Sequence, residues 1–106
     1  MKKAKRARLE ARGWRLGSAA DFLGLSAEEA ALVETKLVLS QALRRKRVSR
    51  QLTQQQLARR LKSSQSRVAK MEAADKSVSV DLLLKGLFAL GAKPGDIGRA
   101  LQLAAA

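Results

Sequence analysis

Gln65, Ser66, Arg67, Ala69 and Lys70 bring together, in one short stretch, side chains that can read or grip a nucleic acid. A glutamine amide matches the two-point edge of adenine, a serine hydroxyl bonds several bases, and a lysine donates to guanine. The Ala69 methyl can pack on a thymine methyl, and Gln65 can hold a phosphate as an alternative to a base. Arg67, and Lys76 further on, suit backbone phosphate better than base edges. No acid interrupts this set.

These side chains need a short rigid rod to carry them, and the flanking residues supply it. Ser63 and Ser64 break the preceding pattern, and the Ser64 hydroxyl can cap a helix from Gln65 to about Ala73. On that helix Val68, Met71 and Glu72 fall on one side at 100° per residue, with Ser66, Ala69 and Lys70 opposite. Upstream, Thr53 can cap another helix, with Gln56 closing a capping box and Leu57, Ala58 and Leu61 along one side.

Leu52-Thr53-Gln54, Leu57-Ala58, Ser64-Gln65-Ser66-Arg67-Val68 and Met71-Glu72 closely resemble the Cro/phage-repressor (XRE-type) helix-turn-helix, over about residues 42–90. The basic Arg47 upstream and Ser79-Val80, Leu83, Leu87, Leu90-Gly91 downstream match in spacing too. The resemblance implies an all-α, five-helix repressor-like domain over residues 26–106. The segment starting at Gln65 would enter the major groove N-terminal end first. It implies that Gln54 clamps a phosphate beside Thr53 and Ser64, and that Gln65, Ser66, Ala69 and Lys70 face bases. It also implies a structural ion pair between Arg47 and Glu72, which would orient the reading helix and pair a partly buried carboxylate. Two residues depart from the pattern. Lys62 and, less sharply, Gln51 stand where glycine is frequent, and the turn at Lys62 wants positive φ.

Composition agrees with a polyanionic partner: Lys and Arg outnumber Asp and Glu 22 to 9, a formal charge of +13. From Lys36 to Lys70 there are eleven basic residues and no acid. Arg44 to Arg47 also suit the negative end of a helix dipole, but that effect does not need so many charges. A phosphate-facing surface accounts for the excess. Membrane binding is the competing use of such charge, yet no apolar run approaches the roughly 20 residues of a membrane span. Cysteine is absent, excluding disulfide and thiolate sites, and the basic start lacks the apolar segment of a signal peptide. The expected location is the cytoplasm.

Residues 1–25 read as a basic extension with a short helix from Ser18 that Gly24 would end. The plain reading is a solvated tail, and the sharper one an arm that orders on nucleic acid or protein. Trp14, the only tryptophan, is expected to dock on this subunit or another. Ser26-Ala27-Glu28-Glu29 is a capping box opening a long helix to about Val48, with an apolar stripe of Ala31, Leu32, Val38, Leu39, Ala42 and Leu43. Ser79 caps a helix from Val80 to Leu90, closed by Gly91. Pro94 then opens a last helix to about Leu103, where Ile97 and Leu101 offer contacts. Leu82 and Phe88, where the resembled pattern is polar, serve either that last helix or a subunit interface. Because relatives usually read paired half-sites, a homodimer on palindromic duplex DNA is expected.

A narrower resemblance runs through Leu23-Gly24-Leu25-Ser26, Glu28-Glu29-Ala30, Lys36, the Leu-Thr-Gln motif and Ser79-Val80-Asp81. This order is similar to small HigA-type antitoxins, which would imply a RelE/ParE-like toxin partner and repression of the protein's own operon. The residues from Trp14 to Leu25, Phe22 among them, would then be the first guess for toxin contact. The alternative is a stand-alone transcriptional regulator. An enzyme is not expected: there is no His or Cys and no clustered acids, so nucleophile-plus-base and metal-assisted schemes lack parts. No metal or cofactor is called for. A basic RNA-binding protein shares the charge but lacks the aromatic stacking surface, since Trp14, Phe22 and Phe88 lie outside the motif.

Overall fold

The structure, a computed structural model, describes residues 24–105. Within them the chain forms five helices and no strand: α1 (Ala27–Ser49), α2 (Gln54–Arg60), α3 (Gln65–Glu72), α4 (Val80–Ala89) and α5 (Pro94–Ala105). The expected short helix at Ser18, and the contacts expected of Trp14 and Phe22, lie outside the described residues. The other expected helices are present. α5 runs to Ala105, about two residues beyond the expected end, because nothing in the Ala-rich terminus interrupts it.

Side-chain caps start the helices where the sequence places them. Ser26 Oγ accepts from the Glu29 N–H at 3.0 Å while Glu29 Oε1 accepts from the Ser26 N–H at 2.9 Å. Thr53 and Gln56 exchange the same two bonds at 3.0 and 2.8 Å. Ser64 and Ser79 receive the Arg67 and Leu82 N–H groups, each satisfying a donor that a helix start leaves open.

The helix ends share one closure that the residue types conceal. After α1, α2, α3 and α4 the chain passes through positive φ at Gln51 (58°), Lys62 (54°), Ala74 (55°) and Gly91 (94°). The following amide in each case reaches back to a helix carbonyl: Leu52 to Arg47, Ser63 to Ala58, Asp75 to Lys70 and Ala92 to Leu87. Only the last uses glycine, the residue that takes this conformation without a Cβ penalty.

The core is a cluster of aliphatic side chains from every connection of this sequence. Leu39 and Leu43 of α1 meet Leu57 and Ala58 of α2, Val68 and Met71 of α3, and Leu83 and Leu87 of α4. Val78, Leu90 and Ala92 seal the loops, and Ile97 and Leu101 of α5 pack on the outside. α4 comes close to this core because Gly86 has no side chain: a Cβ there would lie 3.0 Å from Met71 Cε and 3.1 Å from Leu43 Cδ1. Ser40 Oγ is buried and has no hydrogen-bond partner among the described residues.

The stripe expected along α1 holds only in its second half. Leu39 and Leu43 are buried and Ala42 half-buried, but Ala31 is exposed and Leu32 is 53 % exposed. The reason is length. α1 has 23 residues, about 35 Å of helix, and no residue of α1 before Leu39 is buried.

Candidate nucleic-acid interface

Arg47 and Glu72 form the ion pair that fixes α3 against the end of α1. Arg47 Nε donates to Glu72 Oε2 at 2.5 Å and Nη2 donates to Oε1 at 3.0 Å, a two-point match of guanidinium to carboxylate. Their side chains are 12 % and 5 % exposed. Arg47 Nη1 spends its remaining donor on the Leu52 carbonyl at 2.8 Å, in the turn between α1 and α2. The bonds to Glu72 hold the guanidinium still more firmly in its charged form, against the opposing effect of burial. One side chain thereby ties together α1, the turn before α2, and α3.

Glu72 also receives a third partner. Gln54 Nε2 donates to Glu72 Oε1 at 3.1 Å, and Gln54 Oε1 accepts from Gln65 Nε2 at 3.3 Å. Gln54 is half-buried, bridging the carboxylate beneath to the first residue of α3 above. Its backbone amide still opens α2.

The residues expected to face bases share one side of α3. Gln65, Ser66, Arg67 and Lys70 are exposed, Ala69 is half-buried, and Val68 and Met71 on the far side are buried. Ser64 caps the helix, and its Oγ lies 3.3 Å from that of Ser66. Thr53 is exposed at the start of α2. The Lys76 side chain is exposed too, while its carbonyl accepts from Lys36 Nζ at 3.4 Å, which moors the loop after α3 to α1. Leu82 packs half-buried on the core, whereas Phe88 remains 44 % exposed.

A polar groove of about 260 Å³ runs beside α3, lined by Ser64, Ser66, Arg67, Lys70, Ser77 and Val78. Two cations and three hydroxyls with no lining carboxylate suit an anion. Ser77 was not among the expected residues. Its hydroxyl donates to Asp75 Oδ2 at 2.9 Å, the short polar turn that an Asp-x-Ser sequence signals. That bond, foremost, and then the Ser77 N–H and the nearby Lys70 and Lys36, hold the Asp75 carboxyl below the usual range, partly opposed by desolvation.

Two capped helices, α2 and α3, are joined by a left-handed turn and locked by a largely buried ion pair. Residues 43–91 match the helix-turn-helix family model. The matched helix-turn-helix runs from Leu43 in the core to Gly91 after α4, and so contains the ion pair, both short helices and the groove. Such a match points to a DNA-binding regulatory domain. No curated protein and no solved structure matches the chain. Among the described residues no helix is long and apolar enough to cross a membrane.

Proposed function

We propose that this protein is a sequence-specific DNA-binding transcription regulator that reads duplex DNA through α3. The observation that carries the reading is the two-sidedness of that helix. Val68 and Met71 are buried and Glu72 is locked to Arg47, so Gln65, Ser66 and Lys70 are held outward on a helix that cannot roll. In the major groove Gln65 would meet an adenine edge, Lys70 a guanine and Ala69 a thymine methyl. Arg67, Lys76 and the N-terminal amides of α2 would hold phosphates. Relatives of this kind read paired half-sites, which supports a dimer on a palindromic operator.

A mobility-shift titration on the upstream promoter tests this. Lys70→Ala and Gln65→Ala should relax sequence preference, since each good base contact is worth about 1–3 kcal/mol of discrimination. Arg59, an exposed base in the last turn of α2, would meet phosphate alone, so Arg59→Ala should weaken all duplexes alike and flatten the salt dependence by about one unit of slope. Equal affinity for a palindromic and a scrambled duplex at moderate salt rejects the reading. Preference for RNA over duplex DNA of equal length replaces it with the RNA-binding alternative.

The finer reading is an autoregulating antitoxin of a RelE/ParE-like toxin. It rests on the order of the Leu-Gly-Leu-Ser stretch, Lys36 in the long helix, the Leu-Thr-Gln motif and Ser79-Val80-Asp81. An adjacent reading frame encoding a small basic protein that this chain neutralises supports it; a lone frame leaves a stand-alone regulator.

A further inference from the structure

The geometry points to a second copy of this chain as the partner of the outward face of α1, in an antiparallel pair centred near Leu39. By helical spacing the side of α1 opposite Leu39 and Leu43 carries Ala30, Glu34, Leu37, Gln41, Arg44 and Val48, the first two half-buried and the other four exposed. Their spacing alternates four and three residues throughout, the repeat of a helix that lies along another helix. Val48 is 54 % and Leu37 36 % exposed, with Val33 at 43 % beside them. An open hollow bordered by Arg44, Arg45, Val48 and Ser49 ends the stripe.

Charge decides the occupant. The acids of α1 are Glu28, Glu29 and Glu34 in its first half; of its bases, Lys36, Arg44, Arg45, Lys46 and Arg47, all but Lys36 lie in the second. Three of those bases have work inside the subunit. Arg47 binds Glu72, Lys36 binds the Lys76 carbonyl, and Lys46 lies close enough to Asp96 to help hold that carboxylate charged. Arg44 and Arg45 stay exposed on the outward side.

The stripe also reads the same from both ends. In an antiparallel pair with its two-fold axis at Leu39, Glu34 faces Arg44 of the other copy, Ala30 faces Val48, and Leu37 faces Gln41. Each pairing occurs twice by symmetry, as a closed two-fold interface requires. A parallel pair would instead set Glu34 on Glu34 and Arg44 on Arg44, which costs stability. The surface is therefore self-complementary in one orientation only. This interface gives the proposed regulator its pairing, yet it stands on α1 alone and is read without DNA.

The full chain, in the absence of DNA, is compared by sedimentation equilibrium with Glu34→Arg, Arg44→Glu and Leu37→Lys, helix content being checked by circular dichroism. The wild type should be dimeric at tens of micromolar by the order of magnitude set for weak interfaces. Each variant should self-associate at least roughly tenfold more weakly, the loss expected of a like-charge contact repeated by symmetry. An equimolar mixture of Glu34→Arg and Arg44→Glu should recover a heterodimer, because each reversed charge then meets its opposite. A monomeric wild type overturns the inference, as does a mixture that stays monomeric or a set of variants that all remain dimeric. Dimer loss with promoter binding retained at higher protein concentration would leave the DNA reading intact, and failed DNA binding by an intact dimer would leave the interface intact.

Discussion

The Gln54 amide sits on the Glu72 carboxylate, 3.1 Å from Nε2 to Oε1, so the end of α3 is tied to the start of α2. The carboxylate accepts three hydrogen bonds through two oxygens: from Arg47 Nε and Nη2 on one side and from Gln54 on the other. Gln54 then passes the constraint to Gln65. Orientation of the outer face of α3 is thus set from beneath.

Glu72→Gln removes the charge while keeping the shape, leaving the Arg47 guanidinium in a mostly buried site without its counterion. A charged hydrogen-bonding partner is worth about 1.5–3 kcal/mol, and in a domain of this size that is a fall in Tm of roughly 10 °C. Thermal unfolding by circular dichroism checks it, and DNA affinity should fall together with Tm. Unchanged Tm would mean that the pair orients α3 without stabilising it.

Gln54→Ala separates orientation from stability. One lost bond ends on the Glu72 carboxylate, which Arg47 still holds, and the other on exposed Gln65, so unfolding should change by about 1 kcal/mol, less than for Glu72→Gln. Gln65 then loses the partner that fixes its amide, and discrimination at its base pair should drop several-fold in competition shifts. Affinity for a scrambled duplex should change less than affinity for the operator.

Lys62→Gly tests the turn between α2 and α3. A left-handed residue with a Cβ costs roughly 1–2 kcal/mol, and glycine returns about 0.5–1 kcal/mol of that as unfolded-state entropy. Urea denaturation should show net stabilisation on the order of 0.5–1 kcal/mol. Gly and Lys equal in stability would show that this backbone conformation is not strained.

Ser77→Ala should raise the Asp75 carboxyl toward its ordinary value, since the Ser77 hydroxyl is the main cause of its depression. The sign follows from linkage: a carboxyl lowered by folding stabilises the native state above the unfolded value of about 3.9 and loses that contribution as pH falls below it. The substituted protein should therefore lose less stability on acidification through that window. A carbon-detected NMR titration of Asp75 reads the shift directly, and an unmoved Asp75 would assign the depression to the Ser77 N–H, Lys70 and Lys36 instead.

Helix starts were legible because caps are local: Ser26, Thr53, Ser64 and Ser79 act within three residues, so spacing alone reveals them. The Arg47–Glu72 pair was legible only through family resemblance, since 25 residues separate its members. Lys62 was marked as a left-handed position by the same route, and the structure finds it there. Ala74 was not, because alanine carries no sign of a left-handed turn. Ala31 and Leu32 misled because helical periodicity says which side is apolar and not how far the neighbouring helices reach. Gln54 bridging Glu72 and Gln65 was invisible for a related reason: an amide's choice between a phosphate and two neighbours depends on distances that no spacing encodes.

Gly86 lies on the side of α4 turned to Met71, beneath the helix that the proposed complex would seat in DNA. The height of that helix is then governed by a methyl group that the protein does not have. A change from glycine to alanine would alter neither a base contact nor a phosphate contact, and still lift the reading surface by a fraction of an ångström. Selection for altered operators could therefore return variants at a site no nucleotide ever touches.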